Sequence, residues 1–99
     1  MATLHLISHS PFSDRRLQSC LDLLGNADGL LLCGDAVYAL QPASAPYIEM
    51  QSLAAGGQLY ALEEDLHARG ITPPPEVKVL HYPGFVALCC EYARVNSWL

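Results

Sequence analysis

Four cysteines and four histidines are the groups in this chain best suited to chemistry. A cysteine works through its thiolate, which attacks the sulfur of a disulfide or persulfide; it needs access and a lowered pKa. Cys20 lies in Ser19-Cys20-Leu21, one turn after Arg16, whose cation stabilises a thiolate only if the side chain turns that way. Cys20 also falls on an apolar stripe with Leu17, Leu21 and Leu24, where a packing cysteine belongs. Cys33 ends an apolar run and can reach the rim where α/β sheets bind ligands, although core packing explains it too. Cys89 and Cys90 are adjacent, an awkward geometry for a disulfide. In a helix Cys89 shares the face of Phe85, and Cys90 points elsewhere, toward a neighbouring helix or chain. There is no C-x-x-C pair, and His5, His9, His67 and His81 are not at zinc spacing. Reduced thiols and no metal or cofactor are expected.

Other catalytic groupings are weaker. Ser8 or Ser10, His9 and an aspartate assemble into a triad on paper, but no G-x-S-x-G elbow supports one. His9 and Ser10 are better placed to hydrogen-bond the turn before Pro11. Glu63, Glu64 and Asp65 fall where the positive end of a helix dipole favours acids. Gly56-Gly57 precedes a strand, and neither G-x-G-x-x-G nor a phosphate loop occurs.

These residues need elements to hold them. Gln58 to Gly70 reads as a strand, Leu59 to Leu62, running straight into a helix. That helix carries acids in its first turn, His67 and Arg69 in its last, and Gly70 for a left-handed stop. Thr3 to Ser8 is the first strand, and a helix capped by Ser13 or Asp14 runs to about Leu24. Gly29 to Cys33 reads as a strand buried on both faces, and Ala36 to Leu40 as a short helix or extended segment. Gln41 to Pro46 is a loop and Tyr47 to Ala55 a weak helix. The prolines of Ile71 to Glu76 make a stiff connection before a strand at Val77 to Leu80 and a helix from about Gly84 to Tyr92. Trp98-Leu99 is too apolar to leave in water, so the tail from Val95 docks or adds a last strand. The alternation predicts one α/β domain over residues 1–99, with a central parallel sheet and helices on both faces.

Composition narrows the function. Hydrophobic residues make up 52% and charged residues 15%, more apolar than a small monomer needs, which suggests a surface covered by another chain. A net charge of −5 with five Lys plus Arg makes direct nucleic-acid binding unfavourable. No apolar run approaches the roughly 20 residues of a membrane span, and the first residues do not form a signal peptide, so a cytoplasmic location is expected.

Four pieces together resemble the TusB/DsrH family of small sulfur-relay subunits. They are the opening LHLISHSPF, Gly34 to Leu40 after the second strand, LYALEEDLHARG at Leu59 to Gly70, and the Y-x-G-F-V-x-L block with its terminal S-W-L at Tyr82 to Leu99. The resemblance implies a DsrE-like α/β sandwich with a mostly parallel sheet. It implies a cytoplasmic heterohexamer with two other small subunits, TusC/DsrF-like and TusD/DsrE-like, in two copies each. In the Tus branch such a complex passes persulfide sulfur toward 2-thiouridine at the tRNA wobble position through a downstream acceptor protein. In the Dsr branch it handles sulfur during oxidation of sulfur compounds. The resemblance places the main transferring cysteine on a partner subunit and makes Cys20, in its Dsr-type S-C-L setting, the candidate persulfide acceptor of this chain. A self-sufficient thiol sulfurtransferase using Cys20 is the alternative.

Overall fold

Each short apolar run in the sequence becomes a strand, because a run of four or five apolar residues can be buried on both faces only inside a covered sheet. The computed structural model describes residues 2–41 and 43–98. The expectations that fell on Pro42, in the loop, and on Leu99, at the end of the tail, lie outside the described residues. The strands are β1 (Thr3–Ile7), β2 (Gly29–Leu32), β3 (Leu59–Leu62), β4 (Lys78–Leu80) and β5 (Arg94–Trp98). They form one sheet in the order β4-β3-β2-β1-β5, and all four pairings are parallel. β2 and β3 are central and buried at every residue.

The helices are α1 (Arg16–Leu23), α2 (Ala45–Ala55), α3 (Glu63–Ala68) and α4 (Tyr82–Glu91), with a 3-10 helix over Gly34–Leu40. They cover the two faces unevenly. Ile7, Leu30, Leu32 and Leu59 pack on one face against Leu17 and Cys20 of α1, Val37 and Leu40 of the 3-10 helix, Met50 of α2 and Leu66 of α3. Leu4, Leu31, Tyr60 and Leu62 pack on the other against α4 alone, through Phe85, Leu88 and Cys89. Right-handed crossovers dictate this split. The first three connections step the sheet outward in one direction and so stack on one face. The last returns from β4 to the far side of β1, which puts α4 on the opposite face.

Local chemistry sets the boundaries. α2 is capped by Ser44, whose Oγ accepts from Tyr47 N at 3.1 Å and donates to Ala39 O at 2.6 Å. Gly70 takes the left-handed stop after α3, with φ 64°. The first helix differs from expectation. It starts at Arg16, because Ser13 is drawn into a turn, its N and Oγ both bonding to Ser10 O. Asp14 still serves the helix start, Oδ1 accepting from Arg16 N at 3.0 Å. The fourth helix begins at Tyr82 rather than Gly84, since Pro83 is tolerated in a first turn. Ala36–Leu40 is part of a 3-10 helix that opens at Gly34. The tail is a full strand, β5, in register with all of β1.

Candidate functional site

A wholly parallel sheet gathers the carboxyl ends of its strands at one edge, where ligand sites of α/β domains lie. At this edge the chain places Ser8 and His9 after β1, Cys33 to Asp35 after β2, α3 directly after β3, and His81 after β4.

The polar groups there are largely engaged with each other. Gly34 N donates to Asp65 Oδ2 at 2.8 Å. Gly34 has φ 51°, and a side chain in its place would meet Ser8 O at 3.1 Å, so the turn requires glycine. Arg69 donates from Nε and Nη2 to Asp35 Oδ1 at 3.0 and 2.9 Å, and from Nη1 to Asp65 O at 3.2 Å. Its guanidinium lies 5.9 Å from the centre of the Tyr38 ring. Asp65, read as one of three dipole acids, therefore also ties α3 to the turn after β2. Glu63 and Glu64 flank His81, with Glu63 Oε2 at 2.7 Å from Nε2 and Glu64 Oε2 at 3.7 Å from Nδ1.

The four thiols sit in different surroundings. Cys20 is fully buried in the core beneath β1 and β2. Burial pushes its thiol up to about 12, and the Asp28 carboxylate adds to the push. Arg16, the cation one turn earlier, is committed to the Asp14 carboxylate. Cys33 is half-buried at the rim and its thiol points at Ile7 O, 3.5 Å away. Burial raises its pKa, Asp65 adds to the rise, and Arg69 opposes it. Cys89 lies on the inner side of α4 and is raised by burial, then by Cys90. Cys90 is exposed.

His9 does not join a triad. Its Nδ1 is buried without a hydrogen-bond partner among the described residues. The turn before Pro11 is held by Ser10 instead, whose Oγ accepts from Phe12 N at 3.2 Å.

Besides His81, His5 is also tied to other side chains, and from inside the fold. Its Nδ1 accepts from Trp98 Nε1–H at 3.1 Å, and its Nε2 lies 3.4 Å from Asp28 Oδ2. Asp28 also accepts from Thr3 N and Gly25 N, both at 2.9 Å. No local spacing announces this line, because its three members come from β1, the turn before β2 and β5. The pairing of β1 with β2 sets Asp28 beside His5, and the pairing of β1 with β5 brings Trp98 to it.

One surface stands apart. α4 has no charged residue before Glu91. Phe85, Leu88 and Cys89 pack inward, while Tyr82, Val86 and Cys90, at i, i+4 and i+8, form an outward stripe. Tyr82 is 53% exposed and Val86 60%. A helix apolar all round is normally buried all round.

The family model described as "DsrH like protein" matches residues 9–95. Among curated proteins, the chain is 36% identical to the "Protein TusB" of Erwinia tasmaniensis, over 96% of this chain and 99% of that protein. It is 37% identical to the "Protein TusB" of Serratia proteamaculans, with the same coverage. Among solved structures, the ychN protein of E. coli superposes with a TM-score of 0.76 at 17% identity, covering 99% of this chain and 100% of that one. MTH1491, a protein of unknown function from Methanobacterium thermoautotrophicum, superposes with a TM-score of 0.64 at 14% identity, covering 96% of each chain. These two share the fold.

Proposed function

The chain belongs to the DsrH-like family, and from that membership we propose that it is a mainly structural subunit of a sulfur-relay complex. In this reading it assembles in the cytoplasm with TusC/DsrF-like and TusD/DsrE-like subunits, two copies of each. The complex passes persulfide sulfur through a downstream acceptor protein toward 2-thiouridine at the tRNA wobble position. The likeness to proteins named TusB supports this branch over a Dsr-type role in sulfur oxidation.

The observation that carries the subunit reading is α4. Its outer stripe of Tyr82, Val86 and Cys90 has the character of a helix face meant for another chain. The thiols support the division of labour. A sulfur acceptor needs an accessible thiolate, and Cys20 is buried with its pKa raised. The transferring cysteine then belongs to a partner, and Cys20 packs the core. No helix among the described residues is long and apolar enough to cross a membrane.

Val86→Glu tests the subunit reading, since it puts a charge on the exposed stripe and leaves the inward face of α4 intact. Tagged chain purified from its own cells is expected to bring two small partners, and the variant to lose them while keeping its circular dichroism spectrum. Equal recovery of partners by the variant would remove α4 as the interface.

A further inference from the structure

The two edges of the sheet are protected differently. β4 has three residues, follows Pro73-Pro74-Pro75 and carries Lys78. Shortness, proline and lysine are what keep an edge strand from pairing with other chains. β5 has five residues in unbroken register with β1, contains neither proline nor lysine, and is exposed at all but Trp98.

The residues on β5 are also matched to one another. Arg94, Asn96 and Trp98 lie on one face of the strand, Val95 and Ser97 on the other. The Arg94 guanidinium makes no hydrogen bond or ion pair among the described residues. Trp98 is held in place by its hydrogen bond to His5. It is therefore an aromatic anchor whose ordering cost is already met within the fold.

We propose that β5 is a self-pairing edge: two copies of this chain join β5 to β5, antiparallel, about a two-fold axis through Asn96. That register sets Arg94 opposite the partner's Trp98, and the partner's Arg94 opposite Trp98. The cation meets an aromatic ring, a favourable contact. Val95, 44% exposed, meets the small side chain of the partner's Ser97. A parallel, in-register pairing would instead set Arg94 against Arg94, and like charges directly opposite are unfavourable. The strand's one charge is thus complemented by its own sequence, which points to a second copy rather than an unrelated chain. This edge is on the far side of β1 from β4 and uses no residue of α4, so the inference stands apart from the relay reading.

The test is sedimentation of the purified full chain, in reductant, over a wide concentration range. A species of twice 10.8 kDa is expected to grow with concentration. Arg94→Glu should weaken it at least tenfold, while Arg15→Glu, the same charge change on an exposed residue near α1, should not. A second measurement guards against misfolded variants. Asn96→Cys, made in a Cys90→Ala background, should cross-link to a dimer with a short bifunctional maleimide, and Gln51→Cys on α2 should not. A monomer at all concentrations, equal effects of the two arginine variants, or no cross-link through position 96 would overturn the proposal. A three-subunit complex whose β5 never self-pairs would overturn it and leave the relay reading standing.

Discussion

The indole Nε1–H of Trp98 donates to Nδ1 of His5, 93 residues away in the chain and 3.1 Å away in space. The bond fixes the chemistry of the histidine. Indole can only donate, so Nδ1 must accept; a carboxylate can only accept, so Nε2 carries the proton toward Asp28 Oδ2 at 3.4 Å. His5 thereby joins the last strand to the first. His5→Phe leaves the indole N–H and the Asp28 carboxylate short of a partner in a site where His5 is 7% exposed. The expected loss is roughly 1–3 kcal/mol, read by urea unfolding. Trp98 is the sole tryptophan, so its emission should shift to the red as the indole loosens.

Asp28 supplies an acid-sensitive contribution. The backbone amide of Gly25, then that of Thr3, hold its carboxyl below the usual carboxylate range, with His5 adding to the effect against burial. A folded pKa below the unfolded value stabilises the fold above the unfolded value of about 3.9. That stability is lost as pH falls through the folded value. Asp28→Asn should be less stable than the parent at pH 7, and the difference should shrink toward pH 3. Unfolding curves at the two pH values give the comparison; a constant difference would mean that the carboxylate's charge plays no part.

Gly29 is required by a neighbour rather than by its own backbone. A Cβ there would collide with Tyr92 Oη and lie 2.7 Å from its Cζ. Tyr92 is further tied to Tyr60, hydroxyl to hydroxyl, at 3.3 Å. Gly29→Ala should cost about 1–3 kcal/mol by overpacking. Adding Tyr92→Leu, which removes the clashing ring, should make the Gly29→Ala step much cheaper in that background, a coupling that a double-mutant cycle measures.

The thiols should react in an order set by burial. Cys90 should modify first, Cys33 and Cys89 more slowly, and Cys20 only as the protein unfolds. Peptide mapping after timed alkylation reads the order. Cys20→Ala should cost roughly 1 kcal/mol, as for loss of one buried methyl-sized group, and should leave partner binding intact. Early alkylation of Cys20 in the folded chain would contradict its packing role.

Much of the fold was legible because short apolar runs alternate with turn and cap signals. Leu59 to Gly70 showed its strand, its acidic first turn and its glycine stop in a single stretch, and each is present. Of the two residues expected to cap the first helix, Asp14 still accepts from Arg16 N, whereas Ser13 has two competing uses and the turn back to Ser10 wins over the cap. At the site, the sequence showed which thiols lay on apolar faces, and Cys20 and Cys89 lie inward on the faces their spacing indicated. The Asp28–His5–Trp98 line was not legible. It depends on β5 returning to lie beside β1, and nothing within a few residues of any of the three encodes that return. Likewise Arg69 read as a helix-end cation, whereas its partner Asp35 lies 34 residues earlier.

We propose that this chain holds a relay together and carries no sulfur itself. Native mass spectrometry of the tagged chain, drawn from its own cells without reductant, tests both halves in one spectrum. The expected result is a complex with two small partners, in which any added sulfur mass sits on a partner and this chain has its unmodified mass. A chain that arrives alone would contradict the subunit role, and a sulfur adduct on this chain that disappears in Cys20→Ala would contradict the packing role of Cys20.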